Sequence, residues 1–176
     1  MRWIWIDRFI KFEPGKSAQA VKNISLAEEH LHDHFPGYPV MPASLIIEGM
    51  AQTAGLLVSQ ASDFKEKVVL AKVSRASFHD LAVPGDVLLY TVEIDKINEQ
   101  FAVAGGEVSV ISPHRDDGGD QPRCLASIEL MFSHLDHNLA GKKFPEGNFI
   151  LTDTFSALLT SILPASEKGP TDNSNG

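Results

Sequence analysis

Apolar and polar residues alternate along most of this chain, and one long apolar run interrupts the alternation. Alternation with many β-branched and aromatic residues predicts strands. Six such segments occur, at residues 3–12, 17–26, 67–79, 87–97, 101–112 and 123–135. Short turns or polar loops join the last four, so the pattern predicts antiparallel strands arranged as a meander.

The apolar run predicts a helix from Ala43 to about Gln60. It begins there because prolines at positions 36, 39 and 42 disfavour helix in the preceding segment, Glu28–Pro42, which we expect to be an irregular loop. Apolar residues surround the helix on nearly all sides, which is typical of a buried helix. The pattern therefore predicts an α+β fold in which an antiparallel sheet of about six strands wraps a long central helix.

Length and composition favour one domain, which we place at residues 1–136. The chain has 176 residues, a net charge of −8 and 43% hydrophobic residues, enough for a sizeable core. The negative charge argues against nucleic-acid binding. Cys124 is the single cysteine, so no intrachain disulfide is possible. With no recognisable secretory leader or long apolar span, we expect a cytoplasmic protein without membrane insertion.

Two shorter segments follow the predicted domain. Residues 137–166 are expected to form an extension with a short amphipathic helix, and residues 167–176 a disordered tail. The apolar positions that predict this helix are Phe155, Leu158, Leu159, Ile162 and Leu163.

Glu48 is the position in the predicted helix that points to chemistry. Ser44, Glu48 and Gln52 recur every four residues and so share one narrow polar stripe. Burying a carboxylate without partners is costly, so such a residue is satisfied, protonated or used. A protonated carboxylic acid can donate a proton to a leaving group. The alternative is that Glu48 lies on an exposed stripe or pairs with a lysine.

His34 favours the chemical interpretation of Glu48. It begins a loop rich in proline and glycine that ends at the N-terminus of the same helix, where unpaired N–H groups and the positive end of the helix dipole converge. A base, an acid and an anion site would then be neighbours. A loop histidine alone is more often structural, so the prediction depends on the combination.

A zinc site is an alternative use of the same loop. His30, His32 and His34 occur at alternate positions with Asp33 between them. The sequence offers no evident fourth ligand nearby, so we expect no metal.

The stretch HFPGYPVMPASLIIEGMAQTAG, residues 34–55, resembles a known signature. It is similar to the motif H-F-P-G-H-P-x-M-P-G-x-L-x-x-E-x-x-A-Q of the bacterial 3-hydroxyacyl-acyl-carrier-protein dehydratases, which have the hot-dog fold. The segments DRFIKFEPGKSAQAVKNIS and RASFHDLAVPGDVL extend the resemblance to roughly residues 3–135. The resemblance implies dehydration of 3-hydroxyacyl thioesters to trans-2-enoyl thioesters, and glutamate at position 48 implies no double-bond isomerisation.

The resemblance also implies a role for each residue of the motif, without metal or organic cofactor. His34 corresponds to the base that removes the α-proton, and Glu48 to the acid that protonates the departing hydroxyl. The backbone N–H of Ala43 corresponds to the group that polarises the thioester carbonyl, and Gln52 to the residue that orients Glu48. The remaining motif residues, which would line the substrate, are Phe35, Gly37, Tyr38, Met41 and Pro42.

The implied partners are acyl carrier protein and a second copy of the chain. We expect a homodimer, which could assemble into a trimer of dimers, and a site built from two chains would take His34 from one and Glu48 from the other. A patch including Lys72 and Arg75 would dock the carrier, although it is less basic here than is usual in the family. Tyr38 and Ala43 depart from the family's histidine and glycine.

Other activities occur in the same fold. Hot-dog proteins include acyl-thioester hydrolases, which usually lack the histidine loop, and non-catalytic acyl-binding proteins, in which the acid or base is replaced. Because this chain retains both His34 and Glu48, the dehydratase interpretation is favoured.

Overall fold

The computed structural model describes residues 4–113 and 121–135, which form one antiparallel sheet and two helices. The predicted extension and tail, 137–166 and 167–176, lie outside the described residues. The elements are β1 Arg8–Glu13, β2 Ser17–Asn23, α1 His30–Asp33, α2 Ala43–Ala61, β3 Val68–Phe78, β4 Val87–Ile97, β5 Phe101–Ile111 and β6 Arg123–His134.

Helix α2 lies on one face of the sheet and packs against strands β2 to β6. Twelve of its residues are buried, including Met50, Ala54 and Leu57. The sheet contributes alternate residues to the same core, such as Leu88, Tyr90 and Val92 of β4. The predicted α+β hot-dog fold is confirmed. None of the described helices is long and apolar enough to cross a membrane.

The strand order, β1-β2-β4-β5-β6-β3, shows that the simple meander was wrong for one strand. β3 pairs with β6 at the far edge of the sheet instead of with β4, and β2 pairs with β4. The reason is helix α2, which connects β2 to β3 and whose 19 residues extend for about 28 Å. The helix carries the chain from β2, near one edge of the sheet, to the opposite edge, where β3 lies. The other three predicted neighbours, β1 with β2, β4 with β5 and β5 with β6, are present.

Two local expectations also need correction. The first strand begins at Arg8 instead of Trp3, because the backbone N–H of Trp5 bonds to the side chain of Gln52 and not to a neighbouring strand. The loop Glu28–Pro42 is not wholly irregular, since it contains the one-turn helix α1. That turn ends at Asp33, before the first proline of the loop can disturb it.

Strand β3 differs from the others in its exposure. Leu70, Val73 and Phe78 pair with buried β6 residues and face the helix side of the sheet, yet they are 40%, 40% and 37% exposed. We call these three residues the inner face of β3. Within the described ranges, β3 pairs only with β6, so its other edge carries no strand.

Candidate active site

His34 follows directly after helix α1 and opens a tight turn. The N–H of Phe35 donates to the carbonyl of Tyr38 at 3.0 Å, and the N–H of Tyr38 donates back at 2.9 Å. Gly37 has φ of +75° in this turn, a conformation that glycine adopts without strain. The N–H of Val40 then donates to the carbonyl of His34 at 2.8 Å. The backbone therefore closes on itself around the histidine.

The ring of His34 is half-buried and has a defined partner. Its Nδ1 lies 2.7 Å from the carbonyl oxygen of Val40, which can only accept a hydrogen bond. Nδ1 therefore carries the proton, and in the neutral ring Nε2 keeps a free lone pair. The Phe35 ring stacks on the imidazole with centroids 4.2 Å apart. A histidine held in this tautomer has the property that a general base needs.

The loop that follows His34 leads directly into the N-terminus of α2. Pro42 is the N-cap, and no side chain caps this end of the helix. Ala43, the first helical residue, is exposed. Backbone N–H groups and the positive end of a 19-residue helix are therefore presented at the surface beside the loop.

Glu48 lies one turn further along α2 and is half-buried. Its carboxylate accepts a hydrogen bond of 2.9 Å from the amide nitrogen of Gln52, the residue predicted to orient it. Gln52 is 9% exposed, and its amide oxygen accepts a 2.8 Å bond from the backbone N–H of Trp5. The carboxylate is therefore the end of a short hydrogen-bonded chain that starts in the N-terminal segment.

Gly49, directly after Glu48, allows a close approach to the sheet. A Cβ atom at this position would overlap the phenol ring of Tyr90 on β4. Tyr90 is fully buried, and burial raises the pKa of its hydroxyl group. The ring fills the space beside Gly49 on this turn of the helix.

The other predicted lining residues occupy different environments. Phe35 and Tyr38 are 57% and 61% exposed at the tip of the turn. Met41 belongs to the hydrophobic core, and its backbone N–H donates to the carbonyl of Ala82 at 2.8 Å. That bond ties the histidine loop to the loop 79–86, which carries the Pro-Gly-Asp turn.

Lys72 and Arg75, predicted to dock the carrier, lie on the outer surface of the sheet, opposite Met131 and Glu129 of β6. Arg75 lines a groove of about 460 Å³ on this surface. The carboxylates in the same groove are Glu93, Asp95, Glu107 and Glu129. Arg75 therefore lies in acidic surroundings.

The three histidines of the loop make separate contacts. The Nε2 of His32 lies 2.8 Å from the carbonyl of Leu26, while His30 packs edge-on against Trp5 at 5.2 Å. Burial lowers the pKa of His30, which favours its neutral form. In the part of the chain that the structure describes, no three His, Cys, Asp or Glu side chains could hold a metal ion.

Trp5 was not predicted to belong to this region. The group that reaches Gln52 is a backbone N–H, which every residue except proline carries, so no residue type in the sequence marks it. Within one chain, His34 and Glu48 bond to different groups, Val40 and Gln52, and these bonds do not join them.

Comparison with solved structures shows the fold class. A variant of the acyl-CoA hydrolase of Staphylococcus aureus in complex with coenzyme A aligns with a TM-score of 0.55 and 13% identity, covering 83% of this chain and 80% of that chain. A conserved protein of Pseudomonas aeruginosa aligns with a TM-score of 0.53 and 17% identity, covering 73% and 87%. At this level of identity the likeness concerns the hot-dog fold alone.

Sequence comparison shows the family. The FabA-like domain matches residues 3–111. The 3-hydroxyacyl-acyl-carrier-protein dehydratase FabZ of Pediococcus pentosaceus is 40% identical over 134 residues, covering 76% of this chain and 85% of that protein. The FabZ of Pelotomaculum thermopropionicum is 39% identical over 132 residues, covering 74% and 87%. The chain belongs to the FabA-like family of 3-hydroxyacyl-acyl-carrier-protein dehydratases.

Proposed function

We propose that this protein catalyses the reversible dehydration of 3-hydroxyacyl thioesters on acyl carrier protein to trans-2-enoyl thioesters, in the synthesis of fatty acids or related lipids. The observation that carries the proposal is the bond from Nδ1 of His34 to Val40, which leaves Nε2 as a base within a motif shared with relatives named FabZ. A cytoplasmic location is part of the proposal and is compatible with the single cysteine.

The reaction is divided between two side chains and the helix N-terminus. Nε2 of His34 removes the α-proton, whose acidity comes from the adjacent thioester carbonyl. The backbone N–H of Ala43 donates to that carbonyl oxygen as negative charge develops on it. Glu48, in its protonated form, transfers a proton to the 3-hydroxyl, which leaves as water as the α,β double bond forms. Proton exchange with solvent then restores both residues.

The orientation of Glu48 fits the demands of this step. Gln52 holds one carboxylate oxygen, so the carboxyl group has a defined direction instead of several rotamers. No metal or organic cofactor is needed, because the thioester itself supplies the activation of the α-carbon. Glutamate at position 48 suits dehydration without isomerisation of the double bond.

A second copy of the chain is the partner that best suits the uncovered side of β3. Its inner face (Leu70, Val73 and Phe78) is apolar and exposed, and no strand among the described residues pairs with the edge of β3 that faces away from β6. A symmetric partner would satisfy the edge and cover the apolar face in one interface. The protein is therefore proposed to be a homodimer, which could assemble further into a trimer of dimers.

The dimer is also proposed to share its active sites between the two chains. His34 and Glu48 are each fixed by their own hydrogen bond, and neither bond connects one to the other. A site that takes His34 from one chain and Glu48 from the other would be closed to water by the opposing chain. Each dimer would then contain two equivalent sites.

Carrier docking is proposed to use the outer surface of β3. Lys72 and Arg75 supply the positive charge for an acidic carrier, and Lys72 is the stronger contributor because Arg75 shares its groove with four carboxylates. Replacing both by glutamate is expected to lower kcat/KM for carrier-bound substrate several-fold at low salt, where steering is strongest. Unchanged kcat/KM would exclude this docking site. The control substrate is the matching pantetheine thioester, which has no carrier protein and whose kcat/KM should not change.

One assay separates the candidate activities. Enoyl-thioester hydration is followed by the loss of the conjugated chromophore, while free thiol is measured in the same reaction. A dehydratase hydrates the enoyl thioester and releases no thiol, whereas a hydrolase releases thiol. A non-catalytic acyl-binding protein does neither, and that result, like thiol release alone, would overturn the proposal.

A further inference from the structure

The N-terminal segment before β1 lies against the helix that carries Glu48. Trp5 is 9% exposed, and its backbone N–H donates a 2.8 Å hydrogen bond to the amide oxygen of Gln52. The amide nitrogen of Gln52 then donates a 2.9 Å bond to Glu48. The three residues form a directed chain from the backbone of the segment to the carboxylate.

The direction of this chain matters because a glutamine amide has two unlike ends. The N–H of Trp5 can bond only to the oxygen end, which turns the NH₂ end towards Glu48. In the reversed orientation, two donors would face each other at Trp5, and the amide oxygen would face the ionised carboxylate of Glu48, which can only accept. Gln52 is buried, so water does not readily replace a hydrogen-bond partner that its amide group loses. The N–H of Trp5 therefore selects the orientation that supports the carboxylate.

We propose that the backbone N–H of Trp5 is a positioning group for Glu48 and acts through Gln52. The inference rests on the proposed function, in which Glu48 transfers a proton to the leaving hydroxyl. It adds the N-terminal segment to the groups that control that transfer.

The Trp5 side chain has a separate contact that the experiment must leave unchanged. Its ring packs edge-on against His30, with centroids 5.2 Å apart and planes at 78°. His30 lies in α1, directly before the turn that carries His34. Loss of the ring would therefore disturb the base side of the site as well as the acid side.

An ester bond at position 5 removes the N–H and keeps the indole ring. It is introduced by translation with the α-hydroxy analogue of tryptophan in the full-length protein. We expect kcat for enoyl-thioester hydration to fall about tenfold with KM changed less than about twofold, because misplacement of a reacting group lowers the rate of the bound complex. An unchanged kcat in the folded ester protein would overturn the proposal.

The matched control is an ester at Asp7. Its N–H donates a 2.7 Å bond to the carbonyl of Val21, so this ester removes a backbone bond from the same segment without touching Gln52. We expect kcat close to that of the wild-type protein. Equal losses of kcat at positions 5 and 7 would show a general effect of the segment and contradict the proposal.

A double-variant cycle tests the route through Gln52. In a Gln52→Met protein the ester at Trp5 has no amide to orient, so it should lower kcat no further. A full additional tenfold loss would show that the N–H acts by another route, contrary to the proposal. Thermal unfolding of each protein shows whether activity is compared between folded states.

If the ester protein does not fold, the pair Trp5→Pro and Trp5→Ala replaces it. Both variants lose the ring, and only the proline variant loses the N–H. The proline variant should have about tenfold lower kcat than the alanine variant, and equal values would overturn the proposal. A wild-type protein without any hydratase activity would refute the proposed function itself, an outcome distinct from all of these.

Discussion

His34 and Glu48, the proposed base and acid, are held by contacts of very different range. His34 bonds through Nδ1 to the carbonyl of Val40, six residues along the chain. Glu48 bonds to Gln52 on its own helix, but Gln52 depends on Trp5, 47 residues away in sequence. The proposed base is therefore held by its own loop, whereas the proposed acid is held through a residue that the N-terminal segment contacts.

Removing either functional group is expected to have the largest effect. His34→Ala and Glu48→Gln should each lower turnover by about 10²- to 10⁴-fold, the usual contribution of a general base or acid. Enoyl-thioester hydration with purified protein measures both. Retention of more than about a tenth of the wild-type turnover by either variant would contradict its assigned role.

Mixing the same two variants tests whether the two sides belong to different chains. Each heterodimer would contain one site with both groups intact and one site with neither. Random exchange between equal amounts should therefore restore about a quarter of the wild-type activity. No recovery, with subunit exchange confirmed by mass spectrometry of differently tagged chains, would exclude the shared site.

Gln52 and Val40, the residues that bond to Glu48 and His34, should differ in how strongly their substitution lowers kcat. Gln52→Met removes the side-chain bond to Glu48 and is expected to lower kcat about tenfold. Val40→Ala keeps the backbone carbonyl that holds His34, so the folded variant should retain kcat within about twofold, although loss of buried methyl groups lowers its stability. Steady-state kinetics with a thermal melt for each variant distinguishes the two effects. A larger loss of kcat in Val40→Ala than in Gln52→Met would contradict this prediction.

The smallest expected effect concerns the packing of Gly49 against Tyr90. Gly49→Ala gains helix propensity, but its Cβ overlaps Tyr90, and overpacking should dominate with a net loss of about 1–2 kcal/mol in the free energy of unfolding. Tyr90→Phe removes a buried hydroxyl that has no hydrogen-bond partner among the described residues. This substitution should raise the free energy of unfolding by about 1 kcal/mol. Denaturant unfolding measures both, and stabilisation by Gly49→Ala would contradict the packing argument.

Local patterns in the sequence predicted most of the fold. The spacing of apolar residues and the prolines before Ala43 predicted α2 to within one residue, and five of the six strands began within one residue of their predicted start. The place of β3 at the far edge could not be predicted in this way, because strand pairing depends on where a long helix returns the chain. The start of the first strand was wrong for a similar reason, since Gln52 binds the backbone of Trp5.

The candidate site was predicted unevenly. Side chains with distinctive chemistry, His34 and Glu48, were visible in the sequence, and the resemblance named Gln52 as well. The tautomer of His34 depends on the carbonyl of Val40, and the direction of the Gln52 amide depends on Trp5. Both contacts use backbone groups, which are the same at almost every position, so only the structure identifies them.

The bond between His34 and Val40 also determines how a covalent inhibitor would react. With Nδ1 engaged at 2.7 Å to a carbonyl, an electrophile that reaches the proposed active site meets only the lone pair of Nε2. Alkylation would therefore give a single regioisomer of the modified imidazole. The loop thus sets the regiochemistry of inactivation.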